Sequence, residues 1–376
     1  SWANAVFEGM SAITSTGLTV VHGEESQLPR IVQWWRSLSQ WVGGVGVVLF
    51  AAGFGHTASR MSSLYEAEAH SDQLARETQR SVRAIVGLYL ALTVGAIVAF
   101  MLVERSVWVG FNHGLTGIST GGFTVTDDSF ASANVASRAV AVVVMLAGAT
   151  SFVAHHLLFV ERDTTQLLRF TSLRSHLSWL ATGAVVFAML SLPIGRPGPV
   201  DAAFDWLSAA TTAGFTATDD PAAWSSLGAW LLIVAMIAGA PSGSTGGGVK
   251  LDRVTWLVKG ARSWLPGDHR TTWNHHVVRG DEQRRSTRHA LEMLALWLVT
   301  LVFATVLIAI RTDLAVMDVA FDTASALSNV GLSAWILEHD LTVATKLTLT
   351  VVMFVGRLEL FAALALASQR EHIQRG

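Results

Sequence analysis

Four short polar stretches in this chain each end in a glycine followed by a bulky apolar residue: 11–18, 116–123, 208–215 and 325–332. A Ser or Thr stands six positions before each glycine (Ser11, Thr116, Ser208, Ser325). Phe7, Phe204 and Phe321 stand ten before theirs, with Phe111 one position out of step. The chemistry such stretches can do belongs to their oxygens. The candidate ligands are Thr14, Ser15, Thr16 and Gly17; Ser119, Thr120, Gly121 and Gly122; Thr211, Thr212, Ala213 and Gly214; and Ser328, Asn329, Val330 and Gly331. Carbonyl and hydroxyl oxygens suit hard cations rather than transition metals. Glycine opens backbone angles closed to other residues, which lets a chain curl its carbonyls toward an axis. One such stretch alone reads as a helix C-cap and turn. Four copies at matched places point instead to an ion filter of backbone carbonyls, with Ser and Thr hydroxyls adding oxygens or tying each loop to its helix.

Two further groups stand out. The apolar run 229–238 is too short to cross a bilayer and leads into a stretch holding Gly243, Ser244, Thr245, Gly246, Gly247, Gly248 and Lys250. Backbone this glycine-rich at membrane depth is tolerated only where protein packs it or a cavity wets it, which makes it a candidate gate. A phosphate loop is excluded because Val249 occupies the lysine position of that motif and Leu251 follows Lys250. Arg357 sits near the centre of the last apolar span, and Glu359 points to nearly the opposite helix face. A charge there usually faces an interior pathway, so Arg357 reads as an electrostatic barrier or as a counter-charge held by carbonyls. The rival is a structural tie between units. His155 and His156 diverge on a helix and read as interfacial anchors rather than a metal pair. Trp34, Trp35, Trp41, Trp179, Trp230 and Trp297 read as membrane-belt residues.

These groups need membrane helices to hold them, and composition supplies them. The chain is 51% hydrophobic and only 14% charged, with mean hydropathy +0.44, well outside the soluble range. A net charge of −2 argues against nucleic acid, and the absence of cysteine removes disulfides and thiolate metal sites. About 20 apolar residues cross a bilayer. Candidate spans lie near 34–55, 82–103, 136–160, 176–194, 289–310 and 345–367, with an interrupted seventh near 226–262.

The glycines are 105, 92 and 117 residues apart, too far for a solenoid, so each marks its own unit of helix, pore loop and helix. The expected fold is an all-α integral membrane protein with four such units in pseudo-fourfold order around one ion pore. The first helix of the first unit is missing, and the N-terminus reads as cut. The units are 1–57, 80–162, 174–264 with an intramembrane gating loop at 239–250, and 287–376; 58–79, 163–173 and 265–286 connect them. The connecting side carries 18 of the 26 Lys and Arg residues, which sets it in the cytoplasm. The loop side carries acidic residues such as Glu24, Asp127, Asp128, Asp201, Asp219, Asp220, Glu338 and Asp340, an outer mouth that attracts cations.

The residues resemble the Trk/Ktr/HKT superfamily of potassium transporters, most closely its TrkH and KtrB membrane subunits. The likeness covers essentially the whole chain. It rests on the four loops, Gln40-Trp-Val-Gly-Gly-Val-Gly46, Gly243-Ser-Thr-Gly-Gly-Gly-Val-Lys250 and Gly356-Arg357-Leu-Glu359. The chain departs from the pattern in the missing first helix and in Ala240-Pro241 before the gating loop. The resemblance implies potassium uptake through a four-glycine filter in the cell membrane, a gating loop in the third unit and a pore-facing Arg357. It also implies a homodimer regulated by a cytosolic nucleotide-binding subunit of the TrkA/KtrA type with RCK (KTN) domains. No cofactor is expected beyond K+ as the transported ion, and no enzymatic activity. A sodium-conducting or sodium-coupled member of the same fold would be expected to replace a filter glycine, and none is replaced. An ATP-driven pump would need a phosphorylated aspartate or an intact phosphate loop, and no connection is long enough to hold one.

Overall fold

Helix start signals are used along the whole chain. The side-chain oxygens of Ser1, Ser106, Asn134, Asp163, Ser225 and Thr342 each accept the backbone N–H three residues on. Gly198-Pro199 opens another helix, proline occupying a first-turn position whose N–H has no partner to lose. A computed structural model describes residues 1–21, 24–60, 71–193, 195, 197–218, 224–263, 271–274, 276–334 and 341–358. The acidic residues Asp219, Asp220, Glu338, Asp340 and Glu359, and Arg270, Arg370 and Arg375 among the basic residues counted on the connecting side, lie outside the described residues.

The described chain is predominantly helical: α1 (Trp2–Ile13), α2 (Arg30–Arg60), α3 (Ser71–Glu104), α4 (Val107–Ile118), α5 (Val135–Ala149), α6 (Phe152–His156), α7 (Thr164–Arg169), α8 (Thr171–Ser191), α9 (Pro199–Thr211), α10 (Ser226–Ala238), α11 (Leu251–Arg262), α12 (Gly280–Ala309), α13 (Val316–Ser328) and α14 (Val343–Arg357). A small antiparallel hairpin of β1 (Thr272–Trp273) and β2 (His276–Val277) precedes α12.

Among the described residues, Val82–Glu104 of α3 (23 residues), α8 (21) and α12 (30) are long and apolar enough to cross a membrane. Their outward side chains are apolar: Leu102 is 74% exposed, Val299 64% and Phe303 68%. A surface of this kind is covered by lipid rather than water, because lipid-facing positions need no polar cover. The expected span at 34–55 falls within α2, and α14 carries the last span as far as Arg357.

The expected span 136–160 is not one straight helix. It breaks at Thr150 and Ser151 and turns by 101° into α6 and a π-helical turn, Leu157–Glu161. Thr150 Oγ1 bonds back to Leu146 O at 2.7 Å, and the N–H of Phe152 donates to Gly243 O at 2.8 Å instead of continuing the ladder. His155, expected at a membrane interface, is buried, and its Nε2 lies 2.8 Å from Ala147 O, which also takes a long 3.4 Å bond from the N–H of Thr150 at the break. Trp297 is buried as well, so it is not a belt residue.

The short helices α1, α4, α9 and α13 pack against the long ones in a closed order. Helix α2 packs on α4, α5 on α9, α10 on α13, and α14 returns to α1. Phe7, Phe204 and Phe321 are all buried under these contacts. Phe111 is only half-buried, since a shift of one residue turns a helical side chain by about 100°.

Candidate functional site

Each short helix ends in the same backbone turn. The N–H of Thr16, Gly121, Ala213 and Val330 donates to the carbonyl five residues back, on Ser11, Thr116, Ser208 and Ser325, at 2.8–2.9 Å. Those acceptors are the Ser and Thr residues that recur six before each glycine. Two residues before the glycine the backbone is left-handed (Ser15 φ 50, Thr120 φ 50, Thr212 φ 57, Asn329 φ 54). It is left-handed again at Gly17 (φ 89), Gly122 (77), Gly214 (76) and Gly331 (103). A left-handed residue with a side chain costs about 1–2 kcal/mol, so the turn is held by its surroundings and not by local preference.

The four glycines then meet. A Cβ on Gly17 would strike Gly121 O; on Gly122, Ala213 O; on Gly214, Val330 O; and on Gly331, Thr16 O. Each glycine thus abuts the carbonyl just before the glycine of the next loop, and the fourth closes on the first. The glycines are partly exposed, whereas the other twelve candidate ligands are buried. Hydroxyls serve as ties rather than as free oxygens in several places. Thr14 Oγ1 donates to Met10 O, Thr211 Oγ1 to Leu207 O and Ser119 Oγ to Thr116 O. Asn329 Nδ2 joins its loop to Thr16 Oγ1 and Met353 O, both at 2.9 Å.

A second recurrent group holds the chain beyond each glycine. Nine residues before the glycines stand Glu8, His113, Asp205 and Asp322, all buried. Glu8 accepts from Thr19 Oγ1 and the N–H of Val20, both at 2.7 Å, and pairs with Arg36 at 3.2 Å. Asp205 accepts from the N–H of Ala217, the hydroxyls of Thr216 and Thr218, and Trp224 Nε1. Asp322 accepts from Ser333 Oγ and the N–H of Ala334. His113 instead faces Glu104 at 3.8 Å, in the one loop where Gln40 does the fastening. Gln40 Nε2 donates to Gly121 O, and its Oε1 accepts from the N–H of Phe123. Aligning the four stretches on their glycines would have exposed this position.

The glycine-rich segment between α10 and α11 lies against the ends of three short helices. Thr245 Oγ1 donates to Gly148 O (2.9 Å) and Ile118 O (3.2 Å). The N–H of Gly247 donates to Thr212 Oγ1 at 2.7 Å, and the N–H of Gly248 to Ser328 O at 3.1 Å. Gly246 is pressed against Ala240 and Thr212, Ser244 Oγ bonds Pro241 O, and Gly243 O takes the N–H that α6 offers. Lys250 is buried, and its Nζ reaches Gly246 O at 2.5 Å. Arg357 is also buried. Its guanidinium donates to Thr245 O (3.0 Å), Gly43 O (3.0 Å) and Ser15 Oγ (3.3 Å), joining the segment to α2 and the first loop.

Comparison with known proteins gives one consistent answer. A family model described as TrkH, cation transport protein, matches residues 1–374. An uncharacterized cation transporter of Methanocaldococcus jannaschii is 30% identical, the match covering 97% of this chain and 76% of the relative. A Trk system potassium uptake protein TrkH of Halomonas elongata is 29% identical over 96% of this chain and 78% of its own. The crystal structure of the potassium transporter TrkH from Vibrio parahaemolyticus superposes with a TM-score of 0.82 at 26% identity, covering 97% of this chain and 78% of that one.

Proposed function

The chain belongs to the TrkH family of cation transport proteins, and from that premise we propose that it is the membrane subunit of a potassium uptake system, conducting K+ through a filter formed by its four glycine loops. Its family is one of transporters and not of enzymes, and the chain is a multi-pass membrane protein. The observation that carries the filter is the closed order of Gly17, Gly122, Gly214 and Gly331, each against the next loop's carbonyl in one shared backbone turn. Carbonyl oxygens held in that order replace the water a cation sheds on entry, and they favour the ion whose hydration they match.

In this reading the four helix–loop–helix units surround one pore, with boundaries at 1–57, 80–162, 174–264 and 287–376. The segment 239–250 is the gate beneath the filter, and Arg357 is the positive barrier beside it. The loops face outside, across an inner membrane. The chain works as a homodimer under a cytosolic nucleotide-binding subunit of the TrkA/KtrA type. The Trk systems named for the relatives support potassium as cargo and a system of several components.

Rubidium flux into liposomes holding the purified protein tests the reading. Uptake blocked by K+ and little affected by Na+ is expected. Uptake that Na+ competes for as strongly as K+ would replace the potassium assignment with a sodium-conducting one.

A further inference from the structure

Ser15, Thr120, Thr212 and Asn329, two before each loop glycine, are left-handed and buried. Left-handed backbone is unfavourable for a residue with a side chain, so what that side chain binds decides whether the turn holds. In three of the four loops it binds the glycine-rich segment between α10 and α11, or the arginine attached to that segment. Thr212 Oγ1 accepts from the N–H of Gly247 at 2.7 Å. Thr120 Oγ1 lies 3.3 Å from Thr245 Oγ1. Ser15 Oγ donates to Gln40 O at 2.9 Å and accepts from Arg357 Nη2 at 3.3 Å, while Nη1 of the same guanidinium donates to Thr245 O at 3.0 Å. Asn329 turns to Thr16 and Met353, and the segment meets its loop one residue earlier, the N–H of Gly248 donating to Ser328 O at 3.1 Å. The hydroxyls just before these positions, on Thr14, Ser119 and Thr211, bond carbonyls of their own helices instead.

The residue after each left-handed one carries the carbonyl that abuts a neighbouring glycine. Thr16 O faces Gly331, Gly121 O faces Gly17, Ala213 O faces Gly122 and Val330 O faces Gly214. A side chain bonded to the segment and a carbonyl set against a glycine thus sit on consecutive residues, and a change at the first moves the second.

We propose that Thr212, together with Thr120 and Ser15, is the positioning residue through which the glycine-rich segment sets how well the loops discriminate among ions. The proposal rests on the filter and gate reading given above, and it adds that the two are mechanically one. The carbonyls keep their spacing while the segment is bonded to these side chains, and a shifted segment leaves a conducting pore of poorer discrimination.

The test is Na+ inhibition of rubidium uptake into liposomes by the whole purified chain, intact or with residues 244–247 deleted, each with and without Thr212→Val. Valine keeps the shape of threonine and removes the acceptor. In the intact chain Thr212→Val is expected to lower K+ over Na+ discrimination about fivefold, within the range of one buried hydrogen bond, and Thr212→Ser to retain it. In the deleted chain Thr212→Val is expected to change nothing further, because its partner is already gone. Ser15→Ala, which removes the Arg357 contact in another loop, is expected to follow the same pattern and carries the test if Thr212→Val aggregates. If the deleted chain does not conduct, Thr120→Val combined with Thr245→Val is expected to lose no more discrimination than the stronger single variant. Equal losses in intact and deleted chains, or additive losses in that pair, overturn the proposal, since the hydroxyls would then act without the segment. Wild-type discrimination in both Thr212→Val and Ser15→Ala overturns it as well. Gly214→Ser separates this failure from that of the filter reading. Where it lowers discrimination and the hydroxyl variants do not, the filter stands and the coupling falls; where it has no effect either, both fall.

Discussion

At Gly214 a side chain has nowhere to go. The backbone is left-handed, and a Cβ would strike Val330 O and lie 3.3 Å from Gly331 Cα, so the neighbouring loop must move. Gly214→Ser is expected to cost K+ over Na+ discrimination roughly tenfold, the equivalent of about 1.4 kcal/mol in relative ion stabilisation. The measurement is Na+ inhibition of rubidium uptake, and wild-type inhibition would remove Gly214 from the filter. Behind the glycines, Asp205 gathers four donors in a buried site, and a donor left unsatisfied there costs about 1–3 kcal/mol. Asp205→Ala should therefore lower thermal stability in detergent more than Asp205→Asn, which keeps an acceptor oxygen. Equal melting temperatures would mean the carboxylate is not the fastener. Arg357 poses a question of charge against geometry. As a positive barrier, Arg357→Lys keeps low flux while Arg357→Ala raises it; as a three-way tie to Thr245, Gly43 and Ser15, both variants lose it alike. The barrier outcome is expected. Gly17, Gly122, Gly214 and Gly331 stand out in the sequence because one polar stretch recurs four times, and Arg357 because a charge is unusual at membrane depth. The position of Glu8, Asp205 and Asp322, nine before each glycine, is open to the same alignment, but what they hold is not, because the N–H groups and side chains they bind are brought to them only by the fold.

Among the elements, the broken helices decide how the loops are supported from below. Hydropathy located the interrupted span at 226–262 because its glycines remove apolar residues from the window. It missed the break at Thr150 and Ser151, where the sequence stays apolar on both sides and only a back-bonding threonine marks the site. The two breaks are one device, since Gly148 O takes Thr245 and the N–H of Phe152 takes Gly243 O. The segment 239–250 is thereby bonded to α4, α5, the loop after α9 and the end of α13, without being a helix itself. Were the segment the gate proposed above, it would open by exchanging those bonds rather than by unfolding a helix. Deleting residues 244–247 should leave a conducting pore whose flux depends much less on a cytosolic partner. Flux is compared with and without that subunit and its nucleotide. Full regulation of the deletion variant would place the gate elsewhere.

The whole molecule closes on itself through unlike contacts. Helix α14 meets α1, Asn329 bonds Thr16, and Lys346 Nζ reaches Asn4 at 2.9 Å, so residues more than three hundred apart in sequence seal the order. No periodicity in the sequence could state this, because spacing says that four loops exist and not which neighbours they take. Orientation, in contrast, is a property of charge distribution, and it was read from arginine and lysine alone. On the loop side, the hydroxyl and N–H of Ser26 bond Asp127, and Arg138 pairs with Asp201, so this face is an ordered polar surface. On the opposite face the start of α12 exposes Arg284 and Arg285. The chain contains no cysteine, so one introduced thiol reports its own side of the membrane without a background. Ser132→Cys, exposed next to the loop of Asp127 and Asp128, should react with a membrane-impermeant maleimide in intact cells. Arg285→Cys should react only after permeabilisation. The assignment depends on the pair together. Labelling of Arg285→Cys in intact cells, with Ser132→Cys protected, would invert the protein and place the glycine loops toward the cytoplasm.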